Sequence, residues 1–181
     1  DTTTDDVYFS DYSGHKVWRV VQSTGTLELV AGTGATGFNG DQADAKLATL
    51  YYPQQIHIRG DYLYIADMSN HRVRRVNIRQ TPRPIETIAG TTSSGFSGDG
   101  DAAVVAELSN PTGVTTDANG DVLIGDRSNR RIRKVTTATG KIATIIGSGT
   151  VGFAGDGGGP RGVTIRAEAA SGGLNYLPVE V

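Results

Sequence analysis

The residues able to carry chemistry are few and scattered. Cysteine is absent, and His15, His57 and His71 are the whole imidazole complement of 181 residues. A metal site or proton relay needs several such groups converging, and none of the three has a second His or a Cys at ligand spacing. His15 and His71 stand at matching turn positions, each before a cation (Lys16, Arg72), and Arg130 holds that position in a third copy. A position that accepts either His or Arg reads as a surface turn rather than a metal ligand. His57 lies alone between Ile56 and Ile58, where a hydrogen-bonded role is expected. The aspartates suggest another chemistry. Asp41 with Asp44, Asp99 with Asp101, and Asp156 sit in Gly-rich loops whose carbonyls would add oxygen ligands for calcium. An EF-hand spacing is lacking, however, and the third loop has Gly158-Gly159 where a second acid would be. Helix capping accounts for Asp41 and Asp99 without a metal. The expectation is no cofactor, with calcium as the alternative for these loops. There is no Gly-x-Ser-x-Gly elbow, no Walker-type phosphate loop and no nucleophile beside a placed His, so no catalytic constellation is expected.

The arginines raise the question of nucleic acid. Arg72, Arg74, Arg75 and Arg79, then Arg127, Arg130, Arg131 and Arg133, fall in extended segments, where successive side chains point to opposite faces and do not form one patch. Net charge is −2, against a strongly electrostatic footprint. Arg72 and Arg74 share a face and are expected to pair with Asp67, or with Asp126 of the next unit, as charge-assisted ties between units.

The elements that carry these residues recur. Tyr62 to Ala66 is a short apolar run ending at Asp67, Ser69-Asn70 is a turn, Val73 and Val76 lie in a second run, and Ile85 to Ala89 alternates before Gly90. An earlier copy runs from Val7 through Asp11 to Gly32 and a later one from Val122 through Asp126 to Gly147, the strand-ending aspartates Asp11, Asp67 and Asp126 being 56 and 59 residues apart. Between copies lie Gly37-Phe38-Asn39-Gly40-Asp41, Gly95-Phe96-Ser97-Gly98-Asp99 and Gly152-Phe153-Ala154-Gly155-Asp156. The Ala-rich stretches from Gln42 to Leu50 and from Ala102 to Leu108 suit short helices capped by Asp41 and Asp99. Pro53 and Pro111 then restart a strand. Short strands in a repeat of this length point to propeller blades or a stacked β array.

Taken together, Ile65 to Arg74, Thr87 to Gly90, Gly95 to Gly100 and Pro111 to Val114 resemble the NHL-repeat β-propellers, notably the long-repeat bacterial type. The resemblance extends from about Val7 to Val163. It implies an all-β fold of four-stranded antiparallel blades around an axis, with no single activity attached. The family's amidating lyases bind metal through several convergent His, which three scattered histidines do not match. On this reading the chain is one domain: a first blade over about 2–32, a second over about 53–90, a third over about 111–147 and a partial fourth over about 160–181. The connection from Asp156 to Pro160 reads as shortened by loss of the helix, with Pro160 starting a strand.

Three blades and two further strands are fewer than a closed propeller needs. Open strand edges invite pairing, so completion by another copy of the chain, by a protein partner or by further chain is expected. The assembly residues would be Val7 and Phe9 at one end and Val163, Ile165, Leu174 and Tyr176 at the other, joined head to tail by strand addition into a ring or filament. The shortened connection favours the filament. Phe38, Phe96 and Phe153 are expected as buried plugs between blades, with Asp67, Arg72 and Asp126 as inter-blade ties. The function expected is a non-catalytic structural or interaction scaffold. The alternative is half of a ligand-binding or lyase-type propeller whose axial site needs further blades. An extracellular or cell-surface location is expected, with Thr2, Thr3 and Thr4 as O-glycan acceptors. No stretch approaches the roughly 20 apolar residues of a membrane-spanning helix.

Overall fold

In a computed structural model, residues 4–152 and 158–162 are described. They form three antiparallel sheets in chain order. The first contains β1 (Val7–Asp11), β2 (Lys16–Val21) and β3 (Thr26–Ala31). The second contains β4 (Pro53–Arg59), β5 (Tyr62–Asp67), β6 (Arg72–Asn77) and β7 (Ile85–Ala89). The third contains β8 (Pro111–Thr116), β9 (Val122–Asp126), β10 (Arg131–Thr136) and β11 (Lys141–Ile146). Each sheet is a meander, so every strand pairs with its sequence neighbours, as short connections favour.

Alternation explains the packing. Along β5, Leu63 and Ile65 point to one side and Tyr64 and Ala66 to the other, and all four are buried because the second sheet is sandwiched. Leu63, Ile65, Val76 and Ile85 meet Val17, Val30 and Ala31 of the first sheet. Tyr64, Ala66, Val73 and Ala89 meet Val114, Ile124, Val135 and Ile142 of the third. The sheets thus stack face to face as blades, all-β and without a closed sheet among the described residues.

The expected helices are single 3-10 turns, Ala45–Leu47 and Ala103–Val105. Their backbone groups serve the blades instead of a helix. Gly32 donates to the Ala45 carbonyl, Ala45 to that of Arg83 and Thr33 to that of Ala48; Gly90 donates to the Ala103 carbonyl and Ala103 to that of Gly140. Each turn therefore clamps the outer strands of two successive blades, and the tertiary bonds leave no i→i−4 ladder to propagate. Capping also differs: Asp44, not Asp41, accepts from the Lys46 N–H, and Ala102 precedes the second turn with no side-chain cap.

A further correction concerns Pro160. Pro160–Gly162 is a 3-10 turn, and Gly147 donates to the Pro160 carbonyl at 3.2 Å. Pro160 thus lies thirteen residues after Gly147, as Ala45 lies after Gly32 and Ala103 after Gly90. It holds the place of the linker turn, not of a strand start, and the connection is full length. By the same count Val163 and Ile165 align in sequence with Ala106 and Leu108. They and the rest of the expected fourth blade lie outside the described residues.

Candidate functional site

Inner strands of successive blades run side by side. At the boundary of blades two and three, His57 Nε2 lies 2.9 Å from Thr116 Oγ1, the Val114 N–H donates to Gln55 Oε1, and Arg59 donates to the carbonyls of Asp117 and Ala118. His57 is therefore part of an inter-blade contact. On the other side of β4 the arrangement changes. Among the described residues β1 pairs with β2 alone, whereas its counterparts β5 and β9 are flanked by β4 and β8. An open groove of about 340 Å³ lies there, lined by Asp6, Val7, Tyr8, Ile56, His57 and Ile58. Val7 is 51% exposed and Phe9 40%. These two expected assembly residues are thus accessible; Leu174 and Tyr176 lie outside the described residues.

The turn histidines do more than occupy a surface. The Tyr52 N–H donates to His15 Nδ1 at 3.1 Å, and the Asn110 N–H to His71 Nδ1 at 3.2 Å. Each imidazole comes from one blade and each donor precedes the first proline of the next. His15, His71 and Arg130 all have left-handed φ of 56°, 55° and 53°, which aims the side chain across the joint. Around His15 the rings of Tyr12, Tyr51 and Tyr52 pack together, Tyr12 stacking on Tyr52 at 4.5 Å. The signal in sequence was the His–Pro offset of 38 and 40 residues, which a reading of the turn alone passes over. Arg130, having no acceptor, donates to Gly149 instead.

An accepting Nδ1 requires neutral imidazole. Burial, with the Arg72 charge adding to it, lowers the pKa of His71. A folded-state pKa below the ordinary 6.5 means that this contribution is present above about pH 6.5 and lost as pH falls through the folded-state value. Asp67 works in the opposite direction: burial raises it to about 6 against the pull of its donors, so its contribution is present at acid pH and lost as pH rises through 6. The His71 share is isolated by comparison with His71→Asn, which tolerates positive φ. We expect the wild-type advantage in urea midpoint over this variant to shrink as pH is lowered from 7.5 to 5.5. An advantage constant over that range would show that the joint does not sense His71 protonation.

The aromatic plugs are a different device from the one expected. Phe96 is 40% exposed and Phe38 half-buried, and each ring lies over two guanidinium groups. Arg72 is 3.7 Å and Arg74 4.8 Å from the Phe38 centroid, and Arg131 and Arg133 are at the same distances from that of Phe96. The rings act as lids on cations of the following blade and gain from the charge as well as from burial. Phe153 lies outside the described residues.

Of the two arginines expected at Asp67, Arg74 reaches it, with Nη1 3.5 Å from the carboxylate; Arg133 stands likewise 3.4 Å from Asp126. Both pairs lie within one blade and all four side chains are fully buried. Arg72 points at Phe38 and donates to the Asn70 carbonyl. Asp67 and Asp126 do connect segments: Asp67 accepts from the Tyr51 N–H and Asn70, Asp126 from the Ser109 N–H and Asn129. Asp41 pairs with Arg74 and accepts from Thr87, and Asp99 takes two bonds from Arg133. Of the loop carboxylates considered for calcium, Asp41 and Asp99 are thus arginine partners, and Asp156 lies outside the described residues. Among the described residues no three His, Cys, Asp or Glu side chains converge. Arg133, at the place of Arg74 in the next repeat, is the partner of Asp126 that the sequence reading did not single out.

The comparisons agree with this architecture. The family model of the teneurin NHL domain matches residues 47–154. No curated protein matches the chain in sequence. A solved structural-genomics protein of unknown function from Bacteroides thetaiotaomicron superposes with a TM-score of 0.69 at 20% identity, over 92% of this chain and 39% of that one. Auxiliary nutrient binding proteins from B. thetaiotaomicron and Bacteroides ovatus superpose with TM-scores of 0.63 and 0.61 at 16% and 18% identity, each over 91% of this chain and 39% of theirs. The chain therefore spans about two fifths of the length of these proteins, and likeness at such identities is one of fold.

Proposed function

The chain belongs to the teneurin NHL domain family, and from that premise we propose that it is a non-catalytic scaffold that associates with copies of itself by strand addition on β1. The observation that carries the reading is the β1 edge, with Val7 and Phe9 exposed beside a groove, at the position β4 and β8 fill in the other blades. An unpaired edge supplies main-chain donors and acceptors, and the groove gives alternate side chains of an incoming strand a place to lie. The donor strand in this proposal is Leu174 to Leu177, whose pattern resembles Tyr62 to Ile65. The full-length connection before Pro160 removes the earlier ground for preferring a filament over a ring. The setting is extracellular or the cell surface, with Thr2, Thr3 and Thr4 as O-glycan acceptors. Hydrogen exchange of β1 across a concentration series tests the reading. Amides of Val7 to Asp11 should gain protection as the chain associates, and deletion of residues 174–181 should abolish that gain. Association without added protection at β1 would overturn it.

A second reading is a ligand-binding propeller. It is favoured by His57 on the groove wall and by the nutrient-binding names of two structural neighbours.

A further inference from the structure

Another open pocket, of about 320 Å³, lies where the Phe38 loop meets the second blade, and Phe38, Asp41, Arg72, Thr91 and Val104 are among the residues that line it. That volume is at the small end for ligand sites, roughly 300–1,000 Å³. Arg72 is its unusual member. It is only 6% exposed, yet among the described residues its one hydrogen bond runs from Nη1 to the Asn70 carbonyl at 2.9 Å. The nearby carboxylates of Asp67 and Asp41 are held by Arg74 instead. The guanidinium carbon of Arg72 lies 3.7 Å from the Phe38 centroid, a contact made through the face, which leaves N–H groups pointing out in the plane. Burial, and then the Arg74 charge beside it, lower the pKa of Arg72, as befits a cation short of compensation.

The next repeat shows the same side chain satisfied by the protein. Arg131 also lies 3.7 Å from its Phe96 centroid and donates from Nη1 to the Asn129 carbonyl, but its Nη2 donates in addition to the Ser148 carbonyl at 2.8 Å. Counted from Gly147 and Gly90, the residue matching Ser148 is Thr91, and Arg72 makes no bond to it; Thr91 lines the pocket instead. A buried guanidinium with open donors is costly until an acceptor arrives, and the acceptor its planar fork fits best is an oxyanion such as a carboxylate. Asp41, on the same pocket wall, opposes a dianion such as phosphate. It also offers a second contact: Oδ1 accepts from Arg74 and Thr87, while among the described residues Oδ2 accepts nothing. With both carboxylates ionised, the charges of Arg72, Arg74, Asp41 and Asp67 cancel. The site therefore suits a ligand that is neutral overall but carries separated charges. Phe38 and Val104, the latter 50% exposed, supply an apolar wall.

We propose that this pocket binds a zwitterionic α-amino acid, with its carboxylate on the Arg72 fork, its ammonium on Asp41 and its side chain against Phe38 and Val104. Neither the β1 edge nor residues 174–181 take part, so the proposal is independent of the self-association proposed above. Isothermal titration calorimetry of the chain with L-alanine, L-leucine and L-phenylalanine tests it, and saturable binding is expected. 4-Methylpentanoate, which is leucine without its ammonium, should bind about fivefold more weakly than leucine. 3-Methylbutylamine, which lacks the carboxylate, should bind about 30-fold more weakly or worse, and Arg72→Gln should weaken leucine to the same degree. Val104→Trp, at an exposed position, fills the pocket without altering Arg72. It should abolish binding with an unchanged circular dichroism spectrum and thermal midpoint, which separates loss of the site from a folding defect. No binding of any of the three amino acids at about 10 mM overturns the proposal, as does leucine binding that survives Val104→Trp. 4-Methylpentanoate or glucuronate binding more tightly than leucine would give the pocket to a simple acid and overturn the amino-acid assignment.

Discussion

Replacing Arg74 with Met is expected to destabilise the chain by about 3–5 kcal/mol, the range for removing one partner of a buried ion pair. The guanidinium is fully buried, within 3.5 Å of the equally buried Asp67, and donates to Asp41 and to the Gly40 carbonyl beneath the Phe38 ring. Met keeps the apolar stem but leaves Asp67 without its cation in a place without water, where it must stay charged or take up a proton. Asp41 is 45% exposed and recovers solvent, so the cost falls chiefly on Asp67. The effect should also depend on pH in a stated direction. Burial already raises Asp67 to about 6, and removing the nearby cation raises it further. A carboxyl with a raised folded-state pKa loses its contribution as pH increases through that value, so the penalty should be larger at pH 8 than at pH 5. Adding Asp67→Asn to Arg74→Met should remove most of this pH dependence. Urea unfolding at both pH values measures it; a loss below about 1 kcal/mol without pH dependence would mean the pair contributes little.

Gly90→Ala is expected to cost roughly 2–5 kcal/mol, from two sources that add. Gly90 has φ of +96°, a conformation that penalises any Cβ by about 1–2 kcal/mol. An added Cβ would also collide with the His71 carbonyl oxygen and crowd the Arg72 Cα, backbone atoms that cannot rotate away, and overpacking of this kind costs about 1–3 kcal/mol. The same contact would arise at Gly32 against His15 and at Gly147 against Arg130, because each glycine ends an outer strand and hands the chain to the linker turn. Gly100 is the control. Its φ of +92° is similar, yet a Cβ there meets nothing within 4 Å, so Gly100→Ala should show the conformational cost of about 1–2 kcal/mol alone. Equal losses at the two positions would show that the collision is relieved by backbone movement.

Period and alternation in the sequence were enough to determine the blades. Strand-ending Asp11, Asp67 and Asp126, the turns after them and the glycines at 32, 90 and 147 mark local conformations, and local conformation is what residue type controls most directly. The apolar rows could be assigned for the same reason, since Leu63 and Ile65 must share a side whatever they pack against. Contacts between segments distant in sequence were decided by the tertiary structure. The Ala-rich linkers have good helix formers, but bonds to Gly32, Arg83, Gly90 and Gly140 from two blades outcompete a helix of one turn. Which arginine reaches Asp67 depends on where Phe38 arrives, which spacing within β6 cannot convey. The place of Pro160 was hidden because proline suits a strand start and a linker turn alike; its carbonyl, accepting from Gly147, decides between them. The accessible β1 edge and the open pocket beside Arg72 arise likewise from what packs nearby, a property of the assembled sheets and not of any stretch of chain.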